Sequence, residues 1–214
     1  MTVRVASAAA ALALCAGCLS SSTPAPKTWM VSPAQELAAA APRPGAFSVA
    51  RQGQIAVNAP FDTTSFVVRR ADGSVARDPY NVFAAQPSAL LRNAVRSRLE
   101  ADGRFGRVVP QSSSASADVQ VEALVSDLSI DCSDPSRRTA RAAVSLDVLR
   151  TGRNGRGVIL SGDGAGTADA ASGDYSAAFS RAFDAAMAAA LRNLKEQPPA
   201  KPIEPLQKPK GENK

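Results

Sequence analysis

The stretch Phe66 to Val109 changes its apolar period halfway along, and a chain that does so must set a helix against a sheet. Phe66-Val67-Val68 is a β-branched and aromatic run. Ala71-Asp72-Gly73-Ser74 holds an Asp-Gly pair that accepts the positive φ angles of a tight turn, and Val75 resumes an extended segment. Together these predict a hairpin. From Pro87 the spacing becomes helical: Leu91, Val95 and Leu99 share a face with Ala94, while Arg92, Asn93, Arg96 and Asp102 lie off it. Pro87 suits a first helical turn and Gly103 the left-handed residue that ends one. Phe105 and Val108-Val109 begin a further strand.

The remaining elements follow the same logic. Trp29-Met30-Val31 predicts a short first strand, Ala34 to Ala41 a helical turn, and Phe47 to Val57 a strand interrupted at Gln52-Gly53-Gln54 and stopped near Pro60. After a loop at Gln111 to Ala117, Val119, Val121 and Ala123 alternate with polar residues. The apolar phase then shifts near Ser126-Asp127, as a bulge would shift it. Ala140, Ala142, Val144, Leu146 and Val148 predict a second long strand beyond the turn at Ser133 to Ser136. Val158, Leu160 and Gly162 to Thr167 predict a third, entered through Gly152 to Gly157, and the three make an antiparallel meander. A last helix is expected from Tyr175 to Lys195, with Phe179, Phe183, Met187, Ala190 and Leu194 on one face and Asp174 near its start. The fold class is therefore α+β: a mainly antiparallel or mixed sheet with two amphipathic helices packed on one face.

Both ends differ from this pattern. Arg4 followed by the apolar run Val5 to Ala16 reads as a secretory signal over residues 1–17, too short for a spanning helix of about 20 residues. Ala16-Gly17-Cys18 resembles the lipobox of bacterial lipoproteins, with Cys15 where leucine usually stands. Cys18 is then the lipid anchor and first mature residue; an ordinary cleaved signal with incidental cysteines is the alternative. Leu19 follows it, and in the sorting pattern this resembles it is aspartate at that place that retains a protein at the inner membrane, so the expected address is the periplasmic face of the outer membrane. Residues 18–26 form a Ser and Pro rich tether, 27–195 a single domain, and 196–214 a Pro and Lys rich tail expected to be disordered. Acyl chains contribute about 0.8 kcal/mol per buried CH₂, so they hold a domain to a membrane without a spanning segment.

The chemistry available is narrow. The sequence has no histidine, which removes the commonest general base and metal ligand. Gly162-Asp163-Gly164-Ala165-Gly166 lacks the lysine of a phosphate loop and reads as strand or bulge. Cys132, left alone once Cys15 departs and Cys18 is lipidated, has no histidine to activate it and reads as a partly buried thiol. Asp127, Asp131 and Asp134 surround a turn without the ligand count of a calcium loop. No catalytic residue, cofactor or metal is expected beyond the covalent lipid on Cys18, and the chain is not read as an enzyme. Arg69, Arg70, Arg92, Arg96, Arg98, Arg104 and Arg107 make the hairpin and first helix basic, either as a solvated face with local ion pairs or as a docking surface. Export excludes nucleic acid as the partner.

Order and residues together resemble the ABC-type transport auxiliary lipoproteins, which accompany Mce-type (MlaD-like) lipid transport systems of Gram-negative envelopes. The resemblance covers roughly Lys27 to Leu194. It rests on the lipobox at Cys18, Trp29-Met30-Val31 followed by Pro33, and Phe66-Val67-Val68-Arg69 leading to Asp78-Pro79-Tyr80-Asn81. Leu99 to Gly103-Arg104-Phe105 with Val108-Val109, and Ala117-Asp118, complete it. Many relatives carry tryptophan where this chain has Phe83. The resemblance implies a non-enzymatic, membrane-anchored partner of the Mce/MlaD-type periplasmic subunit in lipid traffic. The alternative is a structural or assembly lipoprotein that binds a barrel or the cell wall. The expected docking residues are Arg69, Tyr80 and Phe83, because arginine and aromatics dominate interface hot spots; packing of Phe83 on the first helix is the competing role. A homo-oligomer is compatible with either function. The anchor is tested by Cys18→Ala, which should abolish incorporation of labelled fatty acid; undiminished labelling would move the anchor elsewhere.

Overall fold

The computed structural model describes residues 24–33, 41, 43, 46–152 and 155–198. The signal segment, Cys18, most of the tether, the helical turn expected at 34–41 except Ala41, and the tail from residue 199 lie outside the described residues.

The spine of the molecule is a meander of three long strands, β6 (Val119–Asp134), β7 (Arg137–Gly152) and β8 (Gly155–Asp169). The opposite edge of β6 is shared end to end. Its first half pairs in parallel with β2 (Phe47–Val57), its second half in parallel with β3 (Ser65–Arg70). The β6 register against β7 slips between Val125 and Asp127, where the apolar phase shift lies. β3 turns back through Gly73, at φ 79°, into β4 (Val75–Phe83), as the Asp-Gly pair predicts. β1 (Lys27–Trp29) adds in parallel outside β4, and β5 (Phe105–Val109) pairs in parallel with β2. Among the described residues the sheet of nine strands is mixed, and two helices complete an α+β fold.

Three expectations change in detail. Strand β2 runs through Gln52-Gly53-Gln54 without a break. Gln52 faces Val121 and Ile55 faces Ala123, so three steps on β2 match two on β6 and one residue is bulged. The first strand covers residues 27–29, and the chain then leaves the sheet: the Met30 carbonyl accepts from Ser176 Oγ at 2.6 Å, and Ser32 N–H donates to Ser180 Oγ at 3.1 Å. The last helix ends at Arg192, and Lys195–Glu196 forms β9 against Leu160 and Ser161 of β8, where the end of the helix at Lys195 and the start of the tail at Glu196 were expected. An edge strand with unpaired backbone groups offers the chain this partner as soon as the helix ends.

Helix α1 (Pro87–Asp102) starts with proline in its first turn and ends on Gly103 at φ 75°, burying Leu91, Ala94, Val95 and Leu99. Helix α2 (Tyr175–Arg192) is capped by Asp174, whose carboxylate accepts from Ala177 N–H at 3.0 Å. The helices touch through Arg98 and the buried Asp184, 3.4 Å apart. α2 buries Phe179, Phe183 and Met187 completely, at about 1.5–3 kcal/mol for each large side chain removed from water.

What lets α2 descend this far is β8. A Cβ placed on Gly162, Gly164 or Gly166 would lie closer than 3.0 Å to backbone atoms of the segment Ala182 to Leu194, opposite Ala190, Ala186 and Ala182 respectively. The glycine cluster that reads as strand or bulge in sequence is thus a strand carrying a stripe of missing side chains under a helix. Gly164→Ala should therefore destabilise the fold by about 1–3 kcal/mol or more, because the nearest atoms are rigid helix backbone. Gly157→Ala, which meets open space, should change stability by less than about 0.5 kcal/mol. Urea unfolding of the two variants checks the contrast.

Candidate docking surface

The three residues expected to dock a partner arrive in three environments. Phe83 belongs to the core. It is 3% exposed, with its ring centroid 4.6 Å from that of Phe66 and 5.1 Å from that of Phe179. Its partner helix is α2, where the sequence suggested α1, and a ring enclosed on these sides has no face left for a partner. Phe66 is the hub of this cluster, meeting Tyr175 at 5.5 Å and Phe179 at 5.0 Å; Trp29 closes it edge-on to Tyr175 at 5.4 Å.

Arg69 is a cross-strand tie. Its Nη2 lies 3.1 Å from Asp127 Oδ2, its Nε donates to Ser129 Oγ at 3.1 Å, and its guanidinium stacks 5.5 Å from the centre of the Phe61 ring. Asp127 also meets Arg141 at 3.6 Å, and Arg141 reaches Asp131 at 3.2 Å, so the network joins β3, β6 and β7. The Asp131 carboxyl is held below its ordinary value of 3.8, first by the Ser133 hydroxyl and N–H and then by Arg141. With Asp127 and Asp131 turned to arginines and Asp134 to Ser136, the three carboxylates do not form a cation site. Among the described residues no group of His, Cys, Asp and Glu converges as metal ligands. Burial pushes the Cys132 thiol up, away from the thiolate a nucleophile needs.

Tyr80 alone of the three faces solvent, 47% exposed. Its setting explains the run Asp78-Pro79-Tyr80-Asn81. Ser65 pairs with Val82 and Phe66 with Asp78, so one step on β3 spans four on β4 and three residues bulge outward. Asp78 holds the bulge: its Oδ1 accepts from the backbone N–H of Tyr80 at 2.8 Å and of Asn81 at 3.2 Å, and its Oδ2 accepts from Asn81 Nδ2 at 2.8 Å. Asn81 Oδ1 in turn accepts from Trp29 Nε1 at 3.0 Å, which seats β1 against β4. The pairing of β1 begins at Asn81, so among the described residues no strand covers the outer edge of β4 from Val75 to Tyr80. Val75, at the start of this edge, and Met30, just after β1, are exposed, and neither was expected at a surface site. The position of Val75 immediately after a hairpin turn was the available signal.

Among the described residues, no helix is long and apolar enough to cross a membrane. No family model matches the chain, and no curated protein matches it. Solved structures do. The chain is similar to protein XCC0632 from Xanthomonas campestris, described under the family model DUF330, at 17% identity and a TM-score of 0.50, over 77% of this chain and 87% of that one. It is also similar to the hypothetical protein CT253 from Chlamydia trachomatis, at 13% identity and a TM-score of 0.41, over 59% of this chain and 76% of that one. At these identities the likeness to XCC0632 is one of fold.

The three environments predict three outcomes in thermal and urea unfolding. Phe83→Ala should cost about 3–5 kcal/mol as a buried aromatic, Arg69→Ala should cost less but measurably because it removes one of the two arginines that face Asp127 and the contact over Phe61, and Tyr80→Ala should leave stability within about 0.5 kcal/mol.

Proposed function

We propose that this chain is a membrane-anchored auxiliary subunit, held by a lipid on Cys18, that docks the periplasmic component of an Mce-type ABC transport system in lipid traffic between envelope membranes. The observation that carries the reading is Tyr80. A side chain that is both apolar and hydrogen-bonding is held out at an open strand edge by a bonded scaffold, which is the arrangement an interface anchor needs. The sequence supports the rest: small residues before Cys18, a Ser and Pro rich tether, and the ordered run of short motifs shared with the auxiliary lipoproteins. The likeness to XCC0632 bears on the fold alone. A role by docking also suits a chain without histidine whose described cysteine is held as a thiol.

The reading narrows the docking set from Arg69, Tyr80 and Phe83 to Tyr80 and the edge beside it. Affinity capture of the mature protein from detergent-solubilised envelopes should recover an Mce-domain protein. Tyr80→Ala should cut that recovery at least about tenfold, the effect of losing a contact of about 1.4 kcal/mol, with the melting temperature unchanged. Recovery of a β-barrel or cell-wall partner with no Mce protein would favour the structural lipoprotein instead.

A further inference from the structure

A second polar feature lies away from the Tyr80 edge and does not depend on that reading. Where β5 ends, Pro110 to Ser112 turn over the bulge of β2 and the solvent side of α1, leaving a cleft of about 330 Å³. Two arginines line it, Arg92 and Arg96, one helical turn apart and so with Cβ atoms about 5–6 Å apart. Asn93 and Gln111 add side-chain amides and Ser112 a hydroxyl. No carboxylate lines the cleft.

What marks these two arginines is that they share one cleft and that no carboxylate shares it with them. Arg43, Arg69, Arg98, Arg104, Arg141 and Arg156 each stand within 4.0 Å of an aspartate or glutamate; neither Arg92 nor Arg96 does, although Glu100 is one turn from Arg96 on the same helix. The floor is built: Gln52 is buried, and its Nε2 donates to the Arg92 carbonyl at 2.7 Å, tying the β2 bulge to the middle of α1. Another depression, of about 390 Å³, is lined by Asp163 and by no lysine or arginine.

We infer that this cleft binds a phosphate group, through the guanidinium forks of Arg92 and Arg96 with the amides and hydroxyl taking the remaining oxygens. Two adjacent cations without a protein counter-ion repel each other, and a tetrahedral anion that accepts a fork from each removes that cost. The phosphate can come from two sources, free inorganic phosphate or the phosphodiester of a lipid headgroup, and both present the same oxygens.

The test is amide NMR of the full chain titrated with inorganic phosphate and, separately, with glycerophosphoglycerol, the deacylated headgroup of phosphatidylglycerol. Saturable shifts at the Gly53 and Ser112 amides and the Asn93 and Gln111 side-chain amides are expected. Stronger binding of inorganic phosphate would identify the free anion as the source, and equal or stronger binding of the diester would identify the headgroup. Arg92→Gln with Arg96→Gln should weaken binding at least about tenfold, Arg92→Lys with Arg96→Lys should weaken it less because charge is kept without the fork, and Arg107→Gln, an exposed arginine outside the cleft, should leave it unchanged. The proposal is overturned if neither probe gives saturable shifts, if acetate reproduces them, if the double glutamine variant keeps them with its other amide positions intact, or if Arg107→Gln removes them equally.

Discussion

The close approach of α2 to β8 sets the depth of the core. Two residues of strand advance about 6.7 Å and four residues of helix about 6 Å, so glycines at every second position of β8 can stay opposite alanines at every fourth position of α2. Over the two intervals from Gly162 to Gly166 the stripes drift by only about 1.4 Å. Because neither side carries more than a methyl group there, the helix lies almost on the strand backbone. The large residues one position away, Phe179, Phe183 and Met187, are then driven into the sheet, and Phe179 reaches Phe66 and Phe83, one and two strands beyond the meander. If β8 carried ordinary side chains, that aromatic cluster would lose its floor.

A second constraint acts on the far edge of β6, which must serve two parallel partners in succession. β2 ends its pairing at Val57 opposite Val125, and Asn58 N–H still donates to the Val125 carbonyl at 2.9 Å; β3 takes over at Ser129. The bulge in β6 falls in the gap between them. The turn after β2 fills that gap with the buried Phe61, Arg69 lies over its ring, and Asp127, just past the bulge, receives Arg69 from β3 and Arg141 from β7. Arg69, which in sequence belongs to a basic stretch, is here one member of a charge network that seals a junction in the sheet.

This explains what could be seen in the sequence and what could not. The hairpin at Gly73, the faces of both helices and the meander with its phase shift at Ser126 are local periodicities, and each was legible. Parallel pairing leaves no local mark, so the seats of β1, β2 and β5 were not. The pairing of Lys195–Glu196 was hidden for another reason: a two-residue strand has no period and is decided by the open edge that awaits it. The site fared likewise. Arg69, Tyr80 and Phe83 lie within fifteen residues of one hairpin, yet whether each is tie, anchor or core depends on Asp127, on the Asp78 bulge and on α2, all contacts at a distance the sequence does not display.

The Asp78 bulge separates what the fold requires from what it leaves over. Asp78 accepts three hydrogen bonds and Asn81 relays to Trp29, so each has a structural reason for its identity. Pro79 lacks the N–H that an exposed edge would otherwise present to a foreign strand. Tyr80 has no such account. Its backbone N–H is used by Asp78, but among the described residues neither its ring nor its hydroxyl has a partner, and a serine there would satisfy the bulge equally well. A half-exposed tyrosine places apolar area in water for no gain within the chain, so the bulge itself does not require an aromatic at this position.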